Sequence, residues 1–197
     1  MFAGVVNGCL PIKTVDNRGD RISFSIKMHS SGLVDGTPVS IDGLAIPVTC
    51  VDATTVTFEA TKKALAYTTL RHLYPGRLVN LELPDQNSGD HMISGNILGV
   101  VRLAHIKGSL FSFECPRGWM KYLLSKGFVA LDGVSLIVDA THPSGVFAVE
   151  VTPDLRERTT FGSKDIFDEV NLEIDPYTEV IVNTVEQLCL DIPVWEG

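Results

Sequence analysis

Residues Val39-Ser-Ile-Asp-Gly-Leu-Ala-Ile-Pro-Val48 return 90 residues later as Val129-Ala-Leu-Asp-Gly-Val-Ser-Leu-Ile-Val138. Three further segments recur in the same order at a shift of 91 residues: Met1–Gly8 as Met92–Gly99, Thr68-Thr69 as Thr159-Thr160, and Val79–Glu82 as Val170–Glu173. The shift falls from 91 to 90 before residues 39–48 and returns to 91 after them, which takes two single-residue changes in length. Four matched segments in one order indicate a tandem duplication, which decides how the rest of the chain is interpreted.

The duplication predicts two similar domains followed by a tail. We place the first domain at residues 1–84 and the second at 92–176, with the tail at 177–197. The linker, residues 85–91, lies in a stretch rich in polar and turn-forming residues, which is typical of a connection between domains.

Alternating apolar and polar residues indicate β-strands in both halves. Arg21–Lys27 alternates in this way, as do Val56–Glu59 and Val146–Val151. A period of two is typical of a half-buried strand. Asp-Gly, Pro-Gly and Pro-Ser-Gly turns separate such runs at intervals of about 8–12 residues, which predicts a small barrel or sandwich in each half.

Two segments favour helix instead. Trp119–Ser125 places four apolar side chains on one face and is followed by Gly127, which predicts a short helix. After Pro176, apolar residues recur at helical spacing as far as Leu188. This final helix is expected to extend beyond both barrels, where its apolar side could pack on its own domain or against other copies of the chain.

Composition and cysteine usage exclude several classes of protein. The 197 residues carry a net charge of −8, which disfavours binding to nucleic acid. No apolar run approaches the roughly 20 residues that span a bilayer. The first residues, MFAGVVNGCLPIK, lack the basic region of a secretory signal. The four cysteines are far apart and form no metal-binding spacing, so we expect reduced thiols, no metal and a cytoplasmic location.

Several segments together resemble riboflavin synthase. They are the duplicated Asp-Gly strands and the following: Met1-Phe-Ala-Gly-Val-Val6, Gly89-Asp-His-Met-Ile-Ser-Gly95, Leu155-Arg-Glu-Arg-Thr-Thr160 and Val170-Asn-Leu-Glu-Ile-Asp175. The resemblance implies an all-β fold of two six-stranded Greek-key barrels and a C-terminal helix that often forms trimers. It implies the dismutation of two 6,7-dimethyl-8-ribityllumazine molecules. One would bind in the N-terminal barrel of one chain and the other in the C-terminal barrel of a neighbouring chain. The same family contains monomeric lumazine proteins, which bind a pteridine or flavin without catalysis.

The first half departs from the enzyme's pattern at its site. Where the enzyme typically reads Asn-Gly-x-Cys-Leu-Thr-Val, this chain places Ala45 at the cysteine and Pro47 at the threonine. Where the enzyme reads Gly-Gly-His-x-x-x-Gly-His, His91 is kept and Asn96 replaces the second histidine. Alanine has no ionisable group, and asparagine cannot exchange a proton near neutral pH. Lumazine proteins also carry asparagine at this position.

The second half departs less. Lys126, Ser135 and Thr160 stand where the enzyme has the same residue types, whereas Ile137 replaces a threonine. The resemblance therefore implies ligand contacts at Ala45, Pro47, Ala64, Asn96, Ile97, Lys126, Ser135, Ile137 and Thr160. If the protein is active, His91, Asp175 and Ser135 are the candidate catalytic residues. The alternative for Asp175 is a cap at the end of the strand before Pro176.

The function predicted first is binding of 6,7-dimethyl-8-ribityllumazine, riboflavin or FMN without efficient synthesis, and it requires no cofactor. Three alternatives stay open: a working riboflavin synthase with an atypical first barrel, an enzyme acting on a related pteridine or flavin, and a structural partner of a true synthase. No nucleic-acid or membrane partner is expected. The chain is expected to be either a homotrimer joined through residues 177–190 or a monomer.

Overall fold

A computed structural model describes residues 2–29, 32–84 and 93–190. These residues form two closed, antiparallel, six-stranded β-barrels followed by one helix. The predicted all-β fold with tandem barrels and a C-terminal helix is therefore confirmed.

The two barrels share one topology. The first contains β1 (Gly8–Arg18), β2 (Arg21–Lys27), β3 (Pro38–Ile41), β4 (Leu44–Val51), β5 (Thr55–Thr61) and β6 (Leu78–Glu82), paired in the order β1-β2-β5-β4-β3-β6. The second contains β7 (Gly99–Lys107), β8 (Leu110–Glu114), β9 (Phe128–Leu131), β10 (Val134–His142), β11 (Val146–Glu150) and β12 (Glu169–Ile174). Read from β7, its order is β7-β8-β11-β10-β9-β12, the same circuit shifted by six strands.

Each barrel closes around its own apolar core. A stacked pair of phenylalanines lies in each core, Phe24 with Phe58 and Phe113 with Phe147, with ring centroids 5.4 and 5.5 Å apart. All four rings are buried. Inward-facing residues alternate with outward-facing ones along a strand. One face of every strand therefore packs in a core, and only the outward-facing side chains and the barrel ends can contact other parts of the molecule.

One of the two single-residue changes in length between the repeats lies in a hairpin. Val48 of β4 pairs with Phe58, whereas Val138 of β10 pairs with Val149. The first positions are offset by 90 residues and their partners by 91, so the β10–β11 hairpin contains one residue more. The turns have equal length, and β10 has nine residues where β4 has eight. The extra residue therefore lies at the solvent-exposed end of the hairpin, and the register of both barrels is preserved.

Short helices close the barrels. They are α1 (Lys62–Ala66), α2 (Pro153–Arg158) and three 3-10 turns at Thr69–His72, Arg117–Tyr122 and Thr160–Ser163. The short helix predicted around Trp119–Ser125 is present as the 3-10 turn at Arg117–Tyr122, which begins and ends earlier than predicted. Trp119, Met120 and Leu123 pack against the second core, whereas Leu124 is exposed.

The C-terminal helix α3 (Pro176–Leu190) packs on its own domain through one face only. Tyr122 donates a hydrogen bond of 2.7 Å to Asn183, and Lys121 pairs with Glu186. Within the described residues, no helix has the length and apolar character needed to cross a membrane.

Candidate functional site

Two buried asparagines join the barrels. Asn80 on β6 donates to the carbonyl of Asp132 at 2.9 Å and accepts from the amide of Thr160 at 2.8 Å. Asn171 on β12 makes the equivalent bond from the second barrel to the first, donating to the carbonyl of Asp42 at 2.8 Å. The duplicated Val-Asn-Leu-Glu segments therefore relate the barrels by an approximate two-fold axis.

The short segment that precedes each barrel packs against the other barrel. We call residues 3–6 and 94–97 the lent segments. Ser135 on β10 donates its amide to the carbonyl of Gly4, and Ala45 on β4 donates its amide to the carbonyl of Gly95, both at 3.1 Å. Gly95 has φ +82°, and a Cβ on it would lie 2.6 Å from the Cβ of Ala45. Only glycine fits such an approach without strain. The segment before each barrel therefore forms a wall on the other barrel.

In the second barrel this wall borders a cavity of about 320 Å³. Its lining consists of the lent segment, the start of β10 and one side of α2: Ala3, Gly4, Val5, Val6, Val134, Ser135, Asp154, Leu155, Arg158 and Thr159. A cavity of this size can hold a small ring system. Of the predicted residues, Ser135 lies here.

The first barrel carries the same construction at the repeat-related positions. Thr61 caps α1 by accepting from the amide of Ala64 at 3.1 Å, as Thr152 caps α2 by accepting from Leu155 at 3.4 Å. The positions equivalent to the second cavity are 44–45, 63–64, 67–68 and 94–97. Four predicted ligand contacts fall on them, namely Ala45, Ala64, Asn96 and Ile97. We call these positions the first groove and their counterparts the second groove.

Asn96 and Ile97 also face the base of the C-terminal helix. They line a hollow of about 260 Å³ together with Ile174, Pro176 and Glu179. The lent segment therefore lies between β4 of the first barrel and the beginning of α3, and Asn96 is exposed there.

The grooves differ in chemistry at equivalent positions. Asn96 in the first corresponds to Val5 in the second, and Ala45 corresponds to Ser135. A carboxamide can both donate and accept hydrogen bonds at the edge of a heteroaromatic ring, whereas valine offers only apolar contact. Neither asparagine nor alanine can exchange a proton near neutral pH, so these two positions of the first groove carry no acid–base group.

Other predicted residues lie beside the grooves or apart from them. Pro47 is exposed two residues beyond Ala45, on the same side of β4. Ile137, its counterpart, is 51% exposed and is paired with Phe128 across the strands.

Two predicted contacts are not brought into the second groove. Thr160 is buried in the seam between the barrels, where its hydroxyl is 3.1 Å from the Asn80 side chain, and its neighbour Thr159 lines the groove instead. Lys126 is exposed and pairs with Asp139 at 3.0 Å. Its turn follows the 3-10 segment, and it does not line the second groove.

Asp175 caps helix α3. Its carboxylate accepts from both the amide and the hydroxyl of Thr178 at 2.8 Å, immediately before Pro176 at the first helical position. This arrangement satisfies amide groups that a helix start leaves without partners. His91 lies outside the described residues.

Sequence reasoning missed two buried glutamates. Glu82 ends β6 and accepts from the amides of Ala3 and Gly4, and Glu173 on β12 accepts from those of Ser94 and Gly95. Burial raises the pKa of both carboxyls, and the hydrogen bonds oppose that rise. The sequence did contain one indication of their role, because a glutamate lies at or next to the end of the same apolar strand in both repeats.

A second missed feature is a pair of buried carboxylates at the seam. Asp42 pairs with Arg77 at 3.1 Å and Asp132 with Lys164 at 3.0 Å, and both carboxylates are 1% exposed. Burial, followed by the negative charge of Asp132, raises the pKa of Asp42 to about 7, against the opposing effect of Arg77. Asp42, Arg77 and Lys164 line a polar cavity of about 490 Å³ between the barrels.

The described residues contain no cluster of three or more histidine, cysteine or acidic side chains that could hold a metal ion. All four cysteines are free. Burial raises the pKa of Cys115 to about 12, and burial also raises that of Cys9, so neither thiol is activated as a nucleophile.

Comparison with known proteins agrees with this architecture. Residues 3–84 and 94–175 each match the lumazine binding domain. The chain is 33% identical over 192 residues to riboflavin synthase of Chlamydia muridarum (strain MoPn / Nigg), covering 94% of this chain and 95% of that one. It is 34% identical over 202 residues to riboflavin synthase of Escherichia coli (strain K12), covering 95% and 93%.

Solved structures share the fold. LumP complexed with 6,7-dimethyl-8-(1'-D-ribityl) lumazine superposes with a TM-score of 0.75 at 26% identity, covering 88% of this chain and 98% of that one. LumP complexed with riboflavin gives a TM-score of 0.79 at 23% identity, covering 88% and 99%. With two lumazine-binding domains and relatives matched over nearly their whole length, the chain belongs to the riboflavin synthase family.

Proposed function

We propose that the protein binds a ribityl-lumazine or flavin in the first groove and does not convert it efficiently to riboflavin. The observation that carries the proposal is a groove whose framework is intact while its proton-transfer groups are missing. The bond from Ala45 to Gly95 and the support from Glu173 are both present. Ala45 and Asn96 nevertheless occupy the two positions where the enzyme has a cysteine and a histidine.

The magnitude of this loss favours a binder. A positioned general acid or base typically contributes about 10²–10⁴-fold to a rate. Two such groups are replaced in one groove, while the donor and acceptor capacity of Asn96 suits a ring that presents both kinds of group at its edge. The ligands bound by LumP in its solved structures belong to this class.

We propose Ala45, Pro47, Ala64, Asn96 and Ile97 as the contacts in this groove. Alanine at 45 and 64 leaves space where a larger side chain would stand, and Pro47 presents apolar surface without a backbone donor. In the second groove, Leu155 takes the place of Ala64 and fills part of that space.

The test is a titration of the purified chain with 6,7-dimethyl-8-ribityllumazine, riboflavin and FMN, followed by ligand fluorescence. We expect saturable binding of at least one of these compounds. The same protein is then incubated with the lumazine, and riboflavin is measured by chromatography. Riboflavin formation at a rate comparable with that of the E. coli relative would overturn the proposal.

A matched set of variants separates the two functions. Ala45→Cys with Asn96→His restores the missing groups, and Asp139→Asn, an exposed change outside both grooves, serves as control. If the protein is a binder with a silenced site, the double variant gains riboflavin formation over wild type and the control does not. If it is a working enzyme, wild type is already active and the double variant changes little.

The second candidate function is riboflavin synthesis, which one observation favours. The second groove retains Ser135, Thr159 and a cavity of about 320 Å³, and relatives matched over nearly their whole length are riboflavin synthases. Holding two ring systems face to face accelerates the reaction between them by proximity alone. Action on a related pteridine or flavin is tested by the same assay with those compounds.

We also propose that the chain self-associates through α3. Tyr177, Ile181, Val185 and Leu188 lie along one face of the helix and are 53–66% exposed. The opposite face already packs on the second barrel through Asn183. An apolar stripe of this length on a terminal helix is typical of an interface between copies. A cytoplasmic location remains a prediction from the sequence.

A further inference from the structure

A short hydrogen-bonded relay connects the second barrel to the first groove. One carboxylate oxygen of Glu173 accepts from both the amide and the hydroxyl of Ser94, each at 2.7 Å. The hydroxyl of Ser94 accepts in turn from the amide of Asn96 at 3.2 Å. The amide of Gly95 lies 3.2 Å from each carboxylate oxygen.

The acceptor end of this relay is rigid. Glu173 is 2% exposed, and it lies on β12, which pairs with strands on both sides. An ionised carboxylate only accepts hydrogen bonds, so every bond it makes here draws the 94–96 backbone toward the strand. Asn96 itself is exposed and has no strand of its own to hold it.

We propose that Glu173 is the positioning residue of the first ligand site, and that it acts through Ser94 to fix the backbone from which Asn96 reaches the ligand. The identity of that ligand rests on the proposed function, but the relay itself does not. Glu173 itself does not contact the ligand. It sets the position of the residue that does.

The repeat supplies a comparison within the same chain. Glu82 holds the other lent segment through the amides of Ala3 at 2.6 Å and Gly4 at 3.1 Å. Ala3 has no hydroxyl, so no side chain carries a bond on to the amide of Val5, which interacts with Glu82 directly. The amide of Asn96 interacts with Glu173 both directly and through the hydroxyl of Ser94. The complete relay occurs on the segment that carries the polar residue Asn96 rather than Val5.

The first experiment is Glu173→Gln. The shape is preserved, but one acceptor oxygen becomes an amino group that faces the Gly95 amide. We expect the Kd for 6,7-dimethyl-8-ribityllumazine to rise about tenfold or more, since a hydrogen bond to a charged group is typically worth that factor. Glu150→Gln, an exposed change in the same barrel that removes a bond from Ser109, should leave the Kd within about twofold of wild type.

Ser94→Ala is a second variant that tests the relay even if Glu173→Gln, a change at a buried residue, fails to fold. Ser94 is exposed, and this change removes only the hydroxyl of the relay. We expect a smaller rise in Kd, about threefold to tenfold, because the amides of Ser94 and Gly95 keep their bonds to Glu173. An unchanged Kd in both Ser94→Ala and a folded Glu173→Gln would overturn the inference.

A double-mutant cycle separates positioning from general support of the barrel. If Glu173 acts through Asn96, then adding Glu173→Gln to Asn96→Ala costs little beyond Asn96→Ala alone. If Glu173 merely stabilises the fold, the two losses in affinity add. Additive losses would overturn the inference.

Amide hydrogen exchange provides a readout that needs no ligand. Glu173→Gln should speed exchange at Ser94 and Gly95 and leave Ala3 and Gly4 at wild-type rates, and Glu82→Gln should do the reverse. If wild type binds none of the three compounds, the proposed function fails, and the exchange pattern still decides whether Glu173 orders the segment. Equal exchange at Ser94 and Gly95 in wild type and Glu173→Gln would overturn the positioning role.

Discussion

The buried carboxylate of Asp42 makes the stability of the protein depend on pH near neutrality. Its pKa is about 7 in the folded chain, compared with an ordinary value of 3.8. The folded state therefore holds a proton between pH 4 and pH 7 that the unfolded state has released. Stability from this group is fully present below pH 4 and is lost as the pH rises through 7.

The size of the effect follows from the difference in pKa. About three units at 1.36 kcal/mol each give about 4 kcal/mol of unfolding free energy, lost between pH 4 and pH 7. The cause is burial, reinforced by the charge of Asp132, and the ion pair with Arg77 at 3.1 Å offsets only part of it.

The perturbation is Asp42→Asn, which also restores the residue that the synthase pattern has at this position. Asparagine can still accept from the amide of Asn80, which donates to Asp42 at 2.7 Å. It cannot titrate, so the variant should lose the fall in stability between pH 5 and pH 7.5. Its absolute stability also reflects the lost pairing of Arg77, so the slope rather than the level is diagnostic.

The assay is urea unfolding at constant ionic strength at several values between pH 5 and pH 8, followed by far-UV circular dichroism. Asp139→Asn is the control, because that exposed carboxylate pairs only at the surface with Lys126. The control should keep the wild-type slope. Parallel pH profiles for wild type and Asp42→Asn would refute the reasoning.

Four further changes test other parts of the structure. Gly95→Ala should destabilise the chain by about 1–3 kcal/mol and weaken ligand binding, because its Cβ would lie 2.6 Å from that of Ala45; wild-type melting and affinity would contradict this. Asn80→Ala removes hydrogen bonds across the barrel seam and should cost about 2–4 kcal/mol in urea unfolding, whereas a loss below 1 kcal/mol would argue against its role. Phe167→Asn should raise the free energy of unfolding in urea by about 0.5–1 kcal/mol, since Phe167 is 71% exposed at φ +79° and asparagine tolerates that conformation; a lowered free energy of unfolding would count against strain there. Ile181→Lys should shift the chain to a monomer in sedimentation velocity, and a wild-type chain that is already monomeric at high concentration would exclude assembly through α3.

The duplication made the fold predictable. Once two halves matched in sequence, alternation in one strand, Arg21–Lys27, was enough to assign the class, and the structure places β2 at those residues. The segment Trp119–Ser125 was predicted as a short helix of no particular type, because its apolar spacing suits both an α-helix and a 3-10 turn. Which one forms depends on how Pro116 and the second core constrain it, and a local pattern does not contain that information.

The grooves were predictable only in part. Asn96 and Ala45 could be found because they break a known pattern at aligned positions. Glu173 could not be assigned a role, because its partners lie 78 and 79 residues away and belong to the other end of the domain. Thr160 was predicted to contact the ligand, whereas its neighbour Thr159 lines the second groove, and only the three-dimensional arrangement shows that adjacent hydroxyls lie on different surfaces.

The two repeats have diverged unevenly, and the pattern has a physical reason. Positions that bridge the barrels keep one residue type in both halves: Asp42 and Asp132, Thr69 and Thr160, Asn80 and Asn171, Glu82 and Glu173. Each of these is buried and makes hydrogen bonds or an ion pair, so replacing one partner leaves another unsatisfied.

Under the proposed function, positions in and beside the grooves are free of this constraint, because a ligand rather than the fold satisfies them. They differ between the halves: Ala45 and Ser135, Pro47 and Ile137, Ala64 and Leu155, Asn96 and Val5. The seam therefore fixes where each groove lies, and substitutions within a groove change its chemistry without moving its walls. A protein built this way can lose proton transfer in one groove and keep its capacity to bind, since the residues that hold the groove open are not the residues that would move the proton.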